Sequence, residues 1–303
     1  MEIVTSVLFL LFINLSVAAQ NDKKYLVIEP DSTYFKIHTL KSKKSPFENV
    51  EITIINVIGD ECRRRKGECL TSIYYTPIEF EGDFLVTLSV LPSNVNQKTE
   101  WRKLIKMDSI KDKILQYDTI IKFAHNEIMN CKRKLISDGV SFWINQNYDI
   151  VPIVKKGENY YTTEQNVMTN FYEVVSKPNF FPVENNSATI CYNAQKYSKE
   201  FILSAGKKVI LLDNFGKSQL QLEYSLRDRL YLTSFLRDKK LFWFWHYPMD
   251  LIDFGCADGL SEFIYSLDKG IVGATFECYM KELLKKAELA DATDVPMFSI
   301  LEH

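Results

Sequence analysis

The sequence predicts an α+β protein: strand-rich, mostly antiparallel parts on either side of one long helix at 109–137, with a small C-terminal α/β appendage. Three observations lead there. From Met107 to Leu135 apolar residues recur at alternating steps of three and four, which is the seam of an amphipathic helix. Before and after that seam, short stretches alternate with period two between Gly, Pro, Asn and Asp punctuation. The composition is aromatic and glycine-poor, with 16 Tyr, 20 Phe and 4 Trp against 11 Gly, which suits pleated, half-buried surfaces. The regular strand–helix alternation of a doubly wound sheet is missing.

In chain order the parts are a targeting segment at 1–19, a strand-rich part at 20–97, a helical segment at 98–139, a second strand-rich part at 140–250, and the appendage at 251–303. Residues 3–17 are almost wholly apolar, and Val17-Ala18-Ala19 offers small residues for cleavage before Gln20. An uncleaved anchor is the alternative reading, although the run is shorter than the roughly 20 residues a membrane-spanning helix needs. The expectation is a secreted protein.

That compartment governs the six cysteines, which in an oxidising lumen read as disulfide candidates. Cys62 with Cys69 closes a short loop. Cys256 with Cys278 and Cys131 with Cys191 are the next pairs, and Cys131, on the helix seam, reads equally well as a buried thiol. Between Cys62 and Cys69 lie Arg63, Arg64, Arg65 and Lys66, a candidate grip on sulfated glycan or phosphate, or simply a solvated hairpin tip. Asn185-Asn186-Ser187 is an N-glycosylation acceptor at Asn185.

Strands are expected at 25–28, 34–38 and 50–58, then at 73–80 and 84–91 as a hairpin about Glu81-Gly82-Asp83. A short helix at 99–107 presents Trp101, Leu104 and Ile105 on one face. In the long helix Ser109 and Asp112 fit a capping box, and Gly139 offers a left-handed stop. Leu115, Ile120, Phe123 and Met129 widen its apolar face beyond a coiled-coil seam, so it is expected to pack within its own chain, in a monomer. Strands follow at 140–144 and 149–154, and 162–190 has no readable period. Four short strands are expected between 201 and 236. Phe242-Trp-Phe-Trp-His-Tyr247 is aromatic on both faces, either a strand buried on both sides or a stacking platform for sugar or lipid.

Net charge is −2, which gives no push toward nucleic acid. The four histidines include no His-Glu-x-x-His pair and there is no Gly-x-Ser-x-Gly elbow, so zinc-protease and serine-esterase chemistry find no motif. His125 on the long helix reads as a flank histidine beside the core. No cofactor motif stands complete.

One stretch carries chemical content: Leu251-Ile-Asp-Phe-Gly-Cys-Ala-Asp-Gly259, followed by an expected helix at 260–267, a strand at 271–274, a helix at 281–287 and an acidic turn at 290–296. It resembles the first nucleotide-binding loop of class I S-adenosylmethionine-dependent methyltransferases, over residues 251–298. The resemblance implies parallel strands, with Gly255 and Gly259 shaping the cofactor loop and Asp291 near the adenine. The reading carried forward is a non-catalytic extracellular binding protein whose partner is an extracellular protein, glycan or lipid. An S-adenosylmethionine-binding protein is the alternative.

Overall fold

The computed structural model describes residues 23–59, 70–73, 76–79, 83–138, 150–176, 188–204, 229–247, 260–289 and 295–300, with the backbone path alone at 70–73, 76–79 and 129–138. Strands dominate. In chain order they are β1 (Lys24–Ile28), β2 (Phe35–Lys41), β3 (Glu51–Gly59), β4 (Leu70–Ile73), β5 (Thr76–Glu79), β6 (Asp83–Leu91), β7 (Arg102–Lys103) and β8 (Ile114–Leu115). After helix α1 (Tyr117–Asp138) come β9 (Ile150–Lys156), β10 (Asn159–Thr162), β11 (Asn166–Val175), β12 (Thr189–Cys191), β13 (Arg229–Leu236), β14 (Leu241–Tyr247), β15 (Glu262–Ser266) and β16 (Gly270–Thr275). Helix α2 (Glu277–Lys286) and β17 (Phe298–Ser299) follow.

Ten strands form one sheet in the order β12-β11-β6-β3-β2-β17-β16-β15-β14-β13. It curls until its edges meet, where the Tyr197 N–H, beyond β12, donates to the Leu232 carbonyl of β13 at 2.9 Å. The two halves face each other across one core. Ile52 and Ile54 of β3, Leu85 and Leu91 of β6, and Met168 and Tyr172 of β11 oppose Phe242 and Phe244 of β14 and Phe263 and Tyr265 of β15. Helix α2 contributes Met280, Leu283 and Leu284 to that core, and its Tyr279 hydroxyl donates to the Pro92 carbonyl at 2.9 Å. Fully burying such a side chain is worth about 1.5–3 kcal/mol.

The outer face of β3, β6 and β11 is buried as well. Strand period two puts Ile55, Val57, Phe84, Val86, Leu88 and Phe171 outward, against Ile120, Ile121, Ala124 and Ile128 of α1. The approach is close: a Cβ added at Gly59 would lie 2.5 Å from Ile121 Cδ1. A second sheet, ordered β7-β10-β9-β1-β8, lies over the same face through Leu26, Ile28, Ile150 and Val154. In it β1 runs parallel to both β8 and β9.

This architecture corrects the α+β expectation. The ten-stranded sheet takes strands from both sides of α1 and from the C-terminal stretch, so α1 covers a sheet and does not separate two strand-rich parts. Strand β6 pairs antiparallel with β11, from Asp83↔Val174 to Leu91↔Asn166. The helix is also shorter than 109–137. Met107–Lys113 is a 3-10 turn with no buried residue, and Ser109 donates its hydroxyl to the Lys106 carbonyl and caps no α-helix. Ile114 and Leu115 instead extend as β8 beside Tyr25 and Leu26. Ladder bonds to β1 there outweigh the helical period, as tertiary partners commonly outweigh local pattern. The short helix expected at 99–107 is likewise absent: Arg102 and Lys103 are strand β7.

The C-terminal α/β appendage is overturned too. Where a helix was expected at 260–267, β15 forms an antiparallel hairpin with β16 inside the large sheet, Phe263 facing Ala274 across the ladder. Phe263 and Tyr265 turn to the core and Ile264 to the opposite face, an alternation that suits only a strand.

Candidate functional site

Strand β14 lies between β13 and β15, so its aromatic run is divided between two environments. Phe242, Phe244 and His246 turn inward and are buried. Trp243, Trp245 and Tyr247 turn outward and stay half-buried. Trp243 packs with Leu241, Ile264 and Val272 in a small outer cluster. Trp245 and Tyr247, two positions apart on one face, stack with ring centroids 5.3 Å apart and planes inclined by 21°.

Neighbouring elements extend this pair into a chain of rings. Across the ladder Tyr231 of β13 opposes Trp245, and Glu262 of β15 opposes it on the other side. Tyr197 meets Tyr231 edge-on at 6.1 Å and stacks on Phe201 at 5.7 Å. Residues 199–204 are helical, and Tyr197, two residues before that stretch, stacks on its Phe201. Phe201 is 55 % exposed, so with Tyr197 on one face its other face meets solvent. Lys199 ties the helical stretch to the sheet: its Nζ lies 2.6 Å from Glu262 Oε2 and 5.7 Å from the Trp245 ring centroid.

The electrostatics of the patch are muted. Lys199 is neutralised by Glu262, and Arg229, across the ladder from Tyr247, is engaged in an interaction of its own. Burial pushes the Tyr231 phenol up to about 12, with Arg229 pulling the other way, so its hydroxyl stays protonated and neutral. The capacity of the patch is stacking and hydrogen bonding.

A second polar feature lies inside the sheet. Asn56, Thr87 and Asn170 oppose one another across β3, β6 and β11 on the inner face, and Ser89 follows Thr87 on that face. All four are buried. Asn56 bonds the Ile271 backbone twice, whereas Thr87 Oγ1 and Ser89 Oγ have no hydrogen-bond partner among the described residues. Apolar side chains of the main core surround this row.

Of the residues singled out in the sequence, Cys62, Arg63, Arg64, Arg65, Lys66, Cys69, Asn185, Gly255, Cys256, Gly259 and Asp291 lie outside the described residues. Cys131 is on α1, where the backbone path alone is described. Cys191 ends β12 as a buried thiol, so the Cys131–Cys191 disulfide is not formed. Cys278 is the second residue of α2, and its candidate partner Cys256 lies outside the described residues. His125 stands edge-on to Phe84 at 5.7 Å, beside the core. The strand at 271–274, which the methyltransferase resemblance implies to be parallel, runs antiparallel between β15 and β17. Among the described residues no three His, Cys, Asp or Glu side chains group to hold a metal ion, and no helix is long and apolar enough to cross a membrane.

Sequence reasoning reached the 242–247 run and missed Tyr197, Lys199, Phe201, Tyr231 and Glu262. The strand expected at 201–203 is helical instead; Tyr231 and Glu262 are joined to the run by ladder register, and Lys199 by its ion pair with Glu262. Compared with protein-family models, with curated proteins and with solved structures, the chain matches none.

Proposed function

We propose that this chain is a secreted, disulfide-containing binding protein that acts outside the cell by recognition and not by catalysis. The observation that carries the reading is the chain of rings Phe201–Tyr197–Tyr231–Trp245–Tyr247 on the outer side of the large sheet, in which Tyr231 is buried and the other four reach solvent, with the Lys199–Glu262 pair set into it. Aromatic side chains with polar tips are the usual currency of recognition surfaces, because they offer large rigid contact area at small entropic cost. The apolar stretch at 3–17 and the small residues at 17–19 support export, and six cysteines suit an oxidising compartment.

Two measurements test this. Expressed from its first methionine in secretory cells, the protein should accumulate in the medium with Gln20 at its N-terminus. The purified product, labelled and titrated onto intact cells, should bind saturably, and Phe201→Ala should weaken that binding while leaving the fold unchanged. Retention inside the cell, or surface binding indifferent to Phe201, would remove the reading.

A further inference from the structure

We infer that the ligand of the outer aromatic face is a neutral oligosaccharide; the inference rests on the recognition role proposed above and names its ligand class. Three properties of the patch select that class. The first is size. Among the described residues, four rings that reach the surface and one ion pair make up the patch, with Tyr231 buried at 5 % exposure beneath them, whereas a standard protein–protein interface engages roughly 20–30 residues a side. Other exposed apolar residues among those described lie elsewhere: Leu236 at the far end of β13, Leu267 beyond β15, Ile105 after β7 and Leu289 after α2.

The second is charge and hydrocarbon content. A membrane-binding surface needs a band of exposed aliphatic side chains with a basic rim for anionic headgroups. Here Leu203 is the aliphatic residue exposed on the stretch that carries Phe201, Lys199 is committed to Glu262, and Arg229 is engaged. A neutral ligand fits that balance better than an anionic one.

The third is the pairing of ring faces with a donor–acceptor couple. A sugar ring presents a face of C–H groups, which rests on an aromatic ring, and an edge of vicinal hydroxyls, each both donor and acceptor. Lys199 and Glu262 keep 38 % and 26 % of their side-chain surface exposed, so an ammonium donor and a carboxylate acceptor stand side by side within reach of solvent. They flank Trp245, and the open face of Phe201 is displayed from the same helical stretch as Lys199. An extended saccharide of several units can engage both; a single sugar engages one.

The test uses the full mature chain against two probes: an array of neutral oligosaccharides, and vesicles containing phosphatidylserine. Phe201→Leu keeps the apolar bulk and removes the ring, and Glu262→Gln removes the ion pair. Wild type should bind at least one neutral oligosaccharide saturably, and Phe201→Leu should weaken it by about threefold to tenfold, the worth of one aromatic contact. Phe201→Trp should retain it. Vesicle binding that survives Phe201→Leu, without oligosaccharide binding, would leave the recognition role standing and overturn the saccharide class. Binding to neither probe, or oligosaccharide binding that ignores both Phe201→Leu and Glu262→Gln, would overturn the saccharide class; cell-surface binding indifferent to Phe201 would overturn the recognition role itself. Phe201 is exposed enough that its variants fold even if Glu262→Gln does not.

Discussion

Asn56 and Ile271 are joined as two neighbouring strands would be, although one partner is a side chain. Asn56 Nδ2 donates to the Ile271 carbonyl at 3.0 Å and the Ile271 N–H donates to Asn56 Oδ1 at 2.8 Å. The two residues are far apart in sequence, and β2 and β17 intervene in the sheet order. At this point the β15–β16 hairpin is held to the N-terminal strands by a carboxamide. Gly270 makes room for it: a Cβ there would lie 2.5 Å from Asn56 Cγ, and its φ of +74° is a conformation that favours glycine.

Asn56→Leu should therefore be strongly destabilising. It leaves a buried N–H and a buried C=O without partners, at about 1–3 kcal/mol each. Gly270→Ala should destabilise as well, and the Asn56→Ala, Gly270→Ala double variant should cost less than the sum, because the first change relieves the clash of the second. Urea unfolding of wild type, Asn56→Leu, Asn56→Ala, Gly270→Ala and the double variant checks both statements; strict additivity in the alanine cycle would mean that the two residues do not meet.

Thr87→Val tests the inner polar row. The Thr87 hydroxyl is buried without a partner among the described residues, so replacing it by a methyl group of similar volume should raise stability, by about 1 kcal/mol. A fall in the urea midpoint would instead show that ordered water or another group satisfies the hydroxyl.

His38 gives the fold a pH dependence of known sign. Its Nε2 lies 2.9 Å from the Lys269 carbonyl, and its pKa is lowered from 6.5, by burial first and then by the charges of Lys269 and Lys36 against a raising backbone hydrogen bond. A base with a depressed folded pKa binds fewer protons folded than unfolded. Its contribution is thus complete above about 6.5 and declines as pH falls from there through the folded value. Urea midpoints measured from pH 8 to pH 5 should drop more for wild type than for His38→Gln. Parallel curves would remove the assignment.

Ile121→Asp should unfold the protein. Ile121 is 2 % exposed, between α1 and the outer face of β3, and an unpaired carboxylate there costs several kcal/mol of a total stability of about 5–15. Loss of the near-ultraviolet circular dichroism signal is the expected result. A variant that stays folded while its light-scattering mass halves would place Ile121 in an interface between chains.

Much of this molecule was legible in its residues. Alternation in β3 showed two buried faces, and they are: Ile52 and Ile54 meet the main core while Ile55 and Val57 meet α1. The seam through Ile121, Ala124 and Ile128 marked the buried side of α1, and the run from Phe242 to Tyr247 marked a strand aromatic on both sides. Side-chain period fixes which residues share a face, because it follows from backbone geometry within one element. It says nothing about which strand lies alongside. Tertiary structure alone paired β6 with β11 and drew Ile114 and Leu115 out of the helical pattern into a ladder with β1. It also made a strand of Glu262–Ser266 and set Phe201 and Lys199 beside Trp245. Each of those outcomes depends on hydrogen bonds and packing between distant segments, whose partners exist only once the sheet has curled.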